Sequence, residues 1–432
     1  MELRAGYKQT EVGVIPEDWD APLLDSLAKR GSGHTPDKQH PEYWNGPIQW
    51  ISLKDSDVLD RVYIEETSAS ITPAGIANSS AVIHPAGTVV LSRDAGVGKS
   101  AITKTPMAVS QHFMAWQCGP RLHNHFLYYW LQTSKPEFER IAMGNTIKTI
   151  GLPFFRSYRV PQPAIGEQRA IATALSDVDA LLAKIDQLIA KKRDLKQAAM
   201  QQLLTGQTRL PGFSEEWEVK RLGDLFAFSG GHIASRDQLS GSGYCYLHYG
   251  DIHKSTKTYI DLEAEYLDIP KLTVRLSDVT PSAMLNDGDV VFVDASEDDD
   301  GTSRHVVVVN PLEKPYISGL HTIVAKARGD LLDNGFKRFC FQTRHIKQQF
   351  QFFAVGTKVS GISKTSIAKI ELRFPSKAEQ TAIASILSDM DAELASLEAR
   401  RDKTRALKQG MMQALLTGRI RLAGGVNGKI GL

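Results

Sequence analysis

Apolar residues recur at alternating steps of four and three in two long stretches of this chain. They are Ile171, Leu175, Val178, Leu182, Ile185 and Ile189 in the first stretch, and Ile383, Leu387, Met390, Leu394 and Leu397 in the second. This spacing places the apolar side chains along one side of an α-helix and leaves the other sides polar. The pattern predicts two long amphipathic helices, over residues 164–206 and 376–418.

The two predicted helices are copies of one sequence. Glu167-Gln168 returns as Glu379-Gln380, 212 positions later, and Leu203-Leu204-Thr205-Gly206 returns at the same spacing as Leu415-Leu416-Thr417-Gly418. No gap is needed from Gly144 and Gly356 through to Leu210 and Leu422. A constant spacing over this length indicates that the chain is two copies of one unit. Gly206 and Gly418 stand where a helix needs a left-handed residue in order to stop.

Helices of this length call for a packing partner. About forty residues make a helix roughly 60 Å long, and a narrow apolar stripe does not stabilise a lone helix. The nearest partner is the other copy, in antiparallel orientation, because parallel packing would leave the chain after Gly206 a long return path. The sequence therefore predicts two antiparallel helices that form a coiled coil, with a pseudo-two-fold internal repeat and the globular parts at opposite ends.

A divergent globular part precedes each helix. Trp19 and Trp217 open the two parts at a spacing of 198, so the second part carries about fourteen extra residues. Runs typical of β-strands occur at 48–51 and 87–91 and at 289–292 and 305–309, and an aromatic-rich helix is predicted at 125–143 and at 334–353. We interpret each part as mixed α/β, so the fold class is α+β. The predicted domains are a first α/β domain (1–163), a first helix (164–206), a second α/β domain (207–375), a second helix (376–418) and a tail (419–432).

Composition and charge limit the classes of function. The chain has 432 residues, and 51 Lys and Arg against 49 Asp and Glu give a net charge of +2, so nucleic-acid contacts must come from local basic patches. Its three cysteines, Cys118, Cys245 and Cys340, lie far apart, which favours reduced thiols over disulfides or a metal site. Residues 1–10 have no apolar stretch, and no segment is typical of a membrane span. We therefore expect a cytoplasmic protein with no membrane partner.

The duplicated helix carries the most specific resemblance to a known family. Two variable α/β domains, each followed by a helix that begins Pro-x-x-x-Glu-Gln and ends Leu-Leu-Thr-Gly, resemble the specificity subunit of type I restriction-modification systems. The opening segment 7–19, and Ala295-Ser296-Glu297-Asp298 after a Val-Val-Phe strand, are also similar to that family. The resemblance covers essentially the whole chain.

This resemblance implies a DNA reader with no catalytic activity of its own. Each domain would read one half of a split target in double-stranded DNA, and the helices would fix the unspecified spacer and dock two methyltransferase subunits. Two motor-nuclease subunits would complete a complex that methylates or restricts DNA. S-adenosylmethionine, ATP and magnesium would bind to those partners, while this chain would hold no cofactor. The methyltransferase motif Asn-Pro-Pro-Tyr is absent from the sequence, in agreement with a non-catalytic subunit.

Two segments imitate ligand-binding loops. Residues 93–100 are similar to a nucleotide-binding P-loop, but Arg93 stands where the pattern needs glycine, and a basic hairpin loop is the preferred interpretation. Residues 296–307 are similar to a calcium loop, but Val307 stands where a bidentate carboxylate is needed. That acidic run matches the loop at 93–100, so either it is solvated surface or one carboxylate accepts from a cytosine amino group. No histidine, cysteine and carboxylate spacing indicates a metal site.

Candidate DNA contacts lie in polar loops that recur in both copies. Residues 144–149 match 356–360 with Ser363 and Lys364, and residues 50–55 are matched with 249–254. These loops either contact phosphates and base edges or are plain surface loops. The candidates are Lys54, Arg93, Lys99, Lys104, Asn145, Thr146 and Lys148 in copy one, and His253, Lys254, Arg304, His305, Lys358, Ser363 and Lys364 in copy two.

Polar residues that are identical in the two helices predict a shared partner, because the globular parts diverge while the helices do not. The candidates for docking are Glu167, Gln168, Asp177, Asp179, Lys196 and Gln197, with Glu379, Gln380, Asp389, Asp391, Lys408 and Gln409. Helix pairing alone is the alternative explanation for their identity. For the whole chain, the alternatives are a coiled-coil scaffold that does not touch DNA and a P-loop nucleotidase.

Overall fold

The computed structural model describes residues 5–144, 147–296, 303–356 and 360–422. The chain forms two compact units. Unit 1 comprises residues 1–186 and 399–432, and unit 2 comprises residues 187–398. Each unit therefore contains one α/β domain together with a segment of each long helix.

The two long helices are the elements that sequence periodicity predicts best. They span Ile165–Leu203 and Lys377–Leu416, within three residues of the predicted bounds. Gly206 and Gly418 follow them with φ angles of +71° and +68°. The prediction of left-handed glycine stops is confirmed, because glycine adopts this conformation without the steric cost of a Cβ.

The helix segments run antiparallel within each unit. In unit 2, Lys192 and Lys196 of the first helix pair with Glu393 (2.7 Å) and Asp391 (2.5 Å) of the second. Residue numbers rise along one helix as they fall along the other, which defines opposite directions.

Unit 1 shows the same antiparallel arrangement with the roles of the helices exchanged. Asp179 of the first helix pairs with Lys408 (2.6 Å), and Asp186, two turns later, pairs with Arg405 (3.6 Å). The antiparallel prediction is thus confirmed inside both units.

The α/β domain of unit 1 contains two main sheets. The five-stranded sheet has the spatial order Ala28–Ser32, Phe113–Cys118, Val89–Ser92, Ser100–Thr103 and Tyr63–Ile64. The four-stranded sheet has the order Ser70–Ile71, Trp44–Ile51, Met107–Val109 and Ile83–His84. Tyr7–Thr10 and Gly13–Pro16 form a separate hairpin. The helices of the domain are Pro73–Ala77, Asn124–Thr133, Lys135–Ile141 and Leu152–Ser157.

Unit 2 repeats the strand order of the five-stranded sheet, while its four-stranded sheet has a different order. Its five-stranded sheet has the order Phe226–Gly230, Thr322–Ala327, Val290–Val293, His305–Val309 and Tyr259–Asp261. Its four-stranded sheet has the order Leu239–Ser240, Lys271–Leu272, Tyr244–Leu247 and Tyr316–Ser318. Two further pairs join Glu218–Arg221 to Glu371–Phe374 and Ala295–Ser296 to Ser360–Gly361. The helices of the domain are Leu222–Leu225, Tyr249–Lys254, Asn334–Cys340, Arg344–Phe353 and Lys364–Ile367.

The aromatic-rich helix that was predicted in each copy is in fact two consecutive helices. In unit 1 the first ends at Thr133 and the second begins at Lys135, with Pro136 in its first turn. Proline has no N–H and fits only at the start of a helix, so a continuous helix through Pro136 is disfavoured. In unit 2 the Thr343 side chain caps the second helix by accepting from the Ile346 N–H at 3.3 Å.

Each hydrophobic core joins a sheet to both helix segments. In unit 1, Ile171 and Leu175 from the first helix are buried in one cluster with Leu415 and Leu416 from the second. In unit 2 the corresponding cluster joins the start of the second helix to the end of the first. The apolar stripes predicted from periodicity therefore pack against the α/β domains as well as against the partner helix.

Candidate nucleic-acid interface

One residue of unit 1 is held where three loops meet. Arg93 follows the buried strand Val89–Ser92, and its N–H donates to the His112 carbonyl at 3.0 Å. Its own carbonyl accepts from the Ile150 N–H at 2.9 Å. The backbone of Arg93 thus ties the loop at 93–99 to the segment before Phe113–Cys118 and to the hairpin at 143–149.

We call this meeting point of three loops the junction. Unit 2 has an equivalent junction with a different side chain at its centre. Asp294 follows the strand Val290–Val293, its N–H donates to the His321 carbonyl at 3.2 Å, and its carbonyl accepts from the Ile362 N–H at 2.8 Å. Arg93 and Asp294 are therefore equivalent positions, with opposite charges in the same backbone frame.

The third segment at each junction is a glycine-opened hairpin. Met143 and Thr149 exchange backbone hydrogen bonds at 3.0 and 2.8 Å, and Val355 and Gly361 do so at 2.9 Å. Gly144 (φ +124°) and Gly356 (φ +139°) begin the turns in a region that side-chain-bearing residues rarely adopt. Of the predicted contacts here, Asn145, Thr146 and Lys358 lie outside the described residues. Lys148 is exposed, and its carbonyl accepts from the Ala95 N–H at 3.3 Å, so this hairpin adjoins the loop of Arg93.

The segment that imitates a P-loop is a β-hairpin loop. The Ser92 N–H donates to the Lys99 carbonyl at 2.8 Å, and the Gly98 N–H donates to the Ser92 carbonyl at 2.9 Å. The loop leads into the strand Ser100–Thr103, whereas a P-loop must open a helix whose N-terminus holds phosphate. The preferred interpretation as a hairpin is confirmed. The acidic run at 297–301 lies outside the described residues.

Three predicted basic contacts of unit 1 make hydrogen bonds or ion pairs within the domain. Arg93 donates to the Gln111 carbonyl (3.2 Å) and the Ile150 carbonyl (3.1 Å), which leaves its side chain 18% exposed. Lys99 donates to the Ser56 carbonyl at 2.9 Å, and Lys104 is exposed and paired with Glu65. Arg93 and Lys99 are therefore partly buried and fix loops, with only part of each side chain left for a ligand.

An aromatic cavity of about 550 Å³ lies beside this junction in unit 1. Trp44 and Trp50 form its apolar wall with their rings edge to face at 5.1 Å. Lys54, which is exposed, lines the cavity together with His112. The structure thus brings the predicted Lys54 near the loop of Arg93.

The predicted match of residues 50–55 with 249–254 is wrong by three residues. Trp50 donates its ring N–H to the His34 carbonyl (3.1 Å), and the Tyr246 hydroxyl donates to the His232 carbonyl (2.8 Å). Both rings stand on a strand that pairs in parallel with its neighbour. Trp50 therefore corresponds to Tyr246, and the three-residue error arose because loop lengths differ between the copies.

Four predicted contacts of unit 2 lie on its surface. Lys254 and Arg304 are exposed, and Arg304 donates to the carbonyl of the half-buried His253. Ser363 and Lys364 are exposed and line a cavity of about 560 Å³ together with Asp294. The structure therefore brings part of the predicted set together beside Asp294.

His305 does not face the surface, and its prediction as a DNA contact is wrong. Its side chain is 5% exposed and packs against the rings of Phe292 (5.7 Å) and Phe341 (5.1 Å). Burial lowers the pKa of His305 to about 4, so its imidazole is neutral near pH 7. The strand His305–Val309 is buried on both faces, and its polar first residue misled the sequence interpretation.

Sequence reasoning missed Asp294, His321 and Tyr249. The rings of Tyr249 and His321 meet edge to face at 5.4 Å, and Asp294 lies 3.3 Å from His321. A signal for Asp294 was present, because it follows Val-Val-Phe-Val as Arg93 follows Val-Val-Leu-Ser.

The Glu-Gln pair at the start of each helix has an internal role. Gln168 donates to the Pro163 (2.9 Å) and Arg121 (3.0 Å) carbonyls and accepts from the His123 N–H (2.8 Å), so its amide joins the helix start to the α/β domain. Gln380 makes the same three bonds in unit 2. Both glutamine side chains are fully buried, which does not support their prediction as docking residues.

Glu167 and Glu379 are also buried, each under an arginine and a tryptophan. Arg209 donates to both oxygens of Glu379 at 2.7 Å beneath Trp217. Arg421 donates to Glu167 at 2.6 and 2.8 Å, and the Trp19 ring N–H adds a bond of 3.2 Å. We name these contacts the arginine clasps. They explain why a glutamate occurs at this position in both copies, without the need for a partner protein.

Of the remaining docking candidates, four make internal ion pairs and four face solvent. Asp179 with Lys408, and Asp391 with Lys196, join the two helix segments within a unit. The exposed residues are Asp177, Gln197, Asp389 and Gln409. Sequence reasoning missed Leu195 and Leu407, which are identical between the copies and 47% and 59% exposed. A docking surface therefore has to be built from this second, exposed group.

Neither a membrane span nor a metal centre appears among the described residues. None of their helices has the length and apolar composition needed to cross a bilayer. Within the same ranges, no three His, Cys, Asp or Glu side chains come together in an arrangement that could hold a metal ion.

The fold and the junctions define a duplicated recognition protein. Its two related domains place different side chains at equivalent backbone positions. A family model described as the type I restriction modification DNA specificity domain matches residues 16–191 and 214–404. The chain therefore belongs to this family, and it is a DNA sequence-specificity subunit of a type I restriction-modification system.

Two of the similar proteins match nearly the whole of this chain. The type I restriction enzyme MjaVIII specificity subunit of Methanocaldococcus jannaschii is 21% identical over 96% of both chains. The MjaIX specificity subunit of the same organism is 28% identical, over 54% of this chain and 57% of its own length. The crystal structure of the S subunit from M. genitalium has a TM-score of 0.55 at 15% identity and covers 96% of this chain and 98% of its own.

Proposed function

We propose that each α/β domain reads one half of a two-part target in double-stranded DNA, through the loops at its junction. The observation that carries this proposal is the equivalence of Arg93 and Asp294, which hold opposite charges at one backbone position. Side chains with different hydrogen-bonding groups select different base edges in the major groove. The exposed lysines Lys54, Lys148, Lys254 and Lys364 would contact phosphates and position the domains on the duplex.

This proposal extends to the assembled complex. The paired helices would set the spacer between the half-sites, and two methyltransferase and two motor-nuclease subunits would bind this chain in the cytoplasm. Adenine methylation and ATP-driven cleavage would belong to those partners, together with S-adenosylmethionine, ATP and magnesium. The family assignment favours this function over a scaffold that does not touch DNA, and the hairpin at 93–99 disfavours a nucleotidase.

Titration of the complex with duplex DNA at several salt concentrations tests the reading role. We expect affinity for one two-part target to exceed affinity for random duplex, and both affinities to fall steeply with salt as counterions are released. Equal affinity for target and random duplexes at every salt concentration would contradict the proposal and favour the scaffold.

The methyltransferase surface would centre on the exposed residues that the two helices share. Leu407 and Asp177 lie in unit 1, and Leu195 and Asp389 lie in unit 2, so each unit presents one copy of each residue. A lone exposed leucine needs no explanation. The same leucine is exposed at both copies, in helices whose Glu-Gln pairs and Asp-Lys ion pairs are explained by internal contacts, and this supports one docking site per unit.

Replacing either leucine by aspartate is expected to remove one methyltransferase subunit, because a charge would enter an apolar contact. Leu195→Asp and Leu407→Asp should each give a complex with one methyltransferase per chain, and the double variant should give none, as measured by native mass spectrometry. Leu312→Asp is the matched control, since Leu312 is also 59% exposed but lies outside the helices. Full occupancy in the double variant would contradict the proposed surface.

A further inference from the structure

Asp294 presents a carboxylate oxygen to solvent at the centre of the unit 2 junction. Its Oδ1 is buried 3.3 Å from His321 Nδ1 and receives no hydrogen bond from the described residues. The side chain as a whole is 34% exposed, so its accessible surface belongs to its atoms other than Oδ1. One oxygen is thus turned toward the histidine, and the other is open to a donor from outside.

The space in front of Asp294 can admit a base edge. Asp294 and His321 line both of two neighbouring cavities, of about 560 and 360 Å³, which share Ile362 and Ser363. Lys364 is exposed at the same rim and supplies a cation suited to a nearby phosphate.

The position of His321 is fixed at a conformational cost. Its φ angle is +59°, a left-handed conformation that is uncommon outside glycine. Its ring is held edge to face against Tyr249 at 5.4 Å. Strained residues of this kind cluster at binding sites, where the surrounding structure stabilises them. The carboxylate therefore stands in a preorganised setting.

The geometry points to Asp294 as the residue with which unit 2 selects a cytosine; this rests on the proposed function. A carboxylate only accepts hydrogen bonds, and cytosine offers its N4 amino group in the major groove. Guanine and thymine present acceptors there, which repel a carboxylate. Adenine offers its N6 amino group beside the N7 acceptor, whose lone pair repels the carboxylate. Asp294 therefore favours cytosine by attraction and rejects the other three bases by repulsion.

The test compares the targets methylated by wild-type and variant complexes. This chain is coexpressed with its methyltransferase partner and given a randomised duplex library, and the methylated duplexes are sequenced. In Asp294→Asn and Asp294→Ala, preference for cytosine at one base pair should fall by about 5- to 150-fold. With Asn the discrimination should weaken, because an amide donates as well as accepts hydrogen bonds. Asp278→Asn, an exposed aspartate of the same unit, is the control.

The outcomes separate this inference from the proposed function. A wild-type complex without a two-part target would overturn the proposed function itself. A wild-type target that both Asp294 variants retain at every base pair would overturn the cytosine assignment alone. Equal loss at all positions of one half-site would also overturn it, because this result would mean that Asp294 only holds the domain together. A change at one base pair, with the other half-site intact, supports it.

Discussion

Arg421→Met is expected to destabilise unit 1 by about 3 kcal/mol, because it leaves the buried Glu167 carboxylate without its cation. The Glu167 side chain is only 6% exposed, and Arg421 binds both of its oxygens as well as those of Asp18. Hydrogen bonds to Glu167 and Asp18 hold the pKa of Arg421 above its usual range, so its guanidinium stays charged near neutral pH. Hydrogen exchange of the full chain should show the loss of protection in unit 1.

Two further variants make this expectation specific. Arg419→Met removes an exposed arginine two residues earlier and should leave exchange unchanged. Adding Glu167→Gln to Arg421→Met should restore much of the protection, because it removes the uncompensated charge. Arg209→Met should instead reduce protection against hydrogen exchange in unit 2, where Arg209 forms the other clasp. Equal exchange in the Arg421 and Arg419 variants would show that the clasp does not stabilise the unit.

Deletion of residues 185–191 together with 397–403 is expected to shorten the spacer of the DNA target by about three base pairs. Seven residues remove about 10.5 Å from each helix, and one base pair occupies about 3.4 Å. Seven residues are two turns, so the apolar stripe keeps its side and the pairs Lys196–Asp391 and Lys408–Asp179 remain available.

Methylome sequencing of cells that carry the double deletion measures this change. Both half-sites should be kept, because the junction residues are untouched. Deletion from one helix only is the control, and it should abolish methylation since the ion pairs lose register. An unchanged spacer in the double deletion would reject the proposal that the helices set the distance.

The helices could be predicted from sequence because their signal is local and repeated. Period and duplication together gave the bounds within three residues, and both glycine stops. However, the fact that a residue is identical in both helices did not reveal why it is identical. Gln168 and Asp177 are equally identical to their counterparts, yet one is fully buried and the other is exposed. Which face of a helix meets its own domain is decided by tertiary packing, and a single sequence does not contain that information in readable form.

The junctions were harder to predict because loop lengths differ between the copies, although the backbone hydrogen bonds at the two junctions are the same. The spacing between equivalent residues is 196 at Trp50, 201 at Arg93 and 212 at Ile150. Long insertions in surface loops cost little free energy, so nothing keeps one spacing through a domain. Asp294 was missed for this reason, although the neighbouring Ser363 and Lys364 were recognised as candidate contacts.

The division of the chain into units has a consequence for synthesis on the ribosome. Unit 2 is one continuous segment, 187–398, whereas unit 1 combines 1–186 with 399–432. Ile171 and Leu175 pack with Leu415 and Leu416, which are made only after the whole of unit 2. At 5–20 residues per second, this apolar surface waits about 10–50 s for its covering. The earlier-made domain is therefore completed later, and during that interval it is the part most in need of a chaperone.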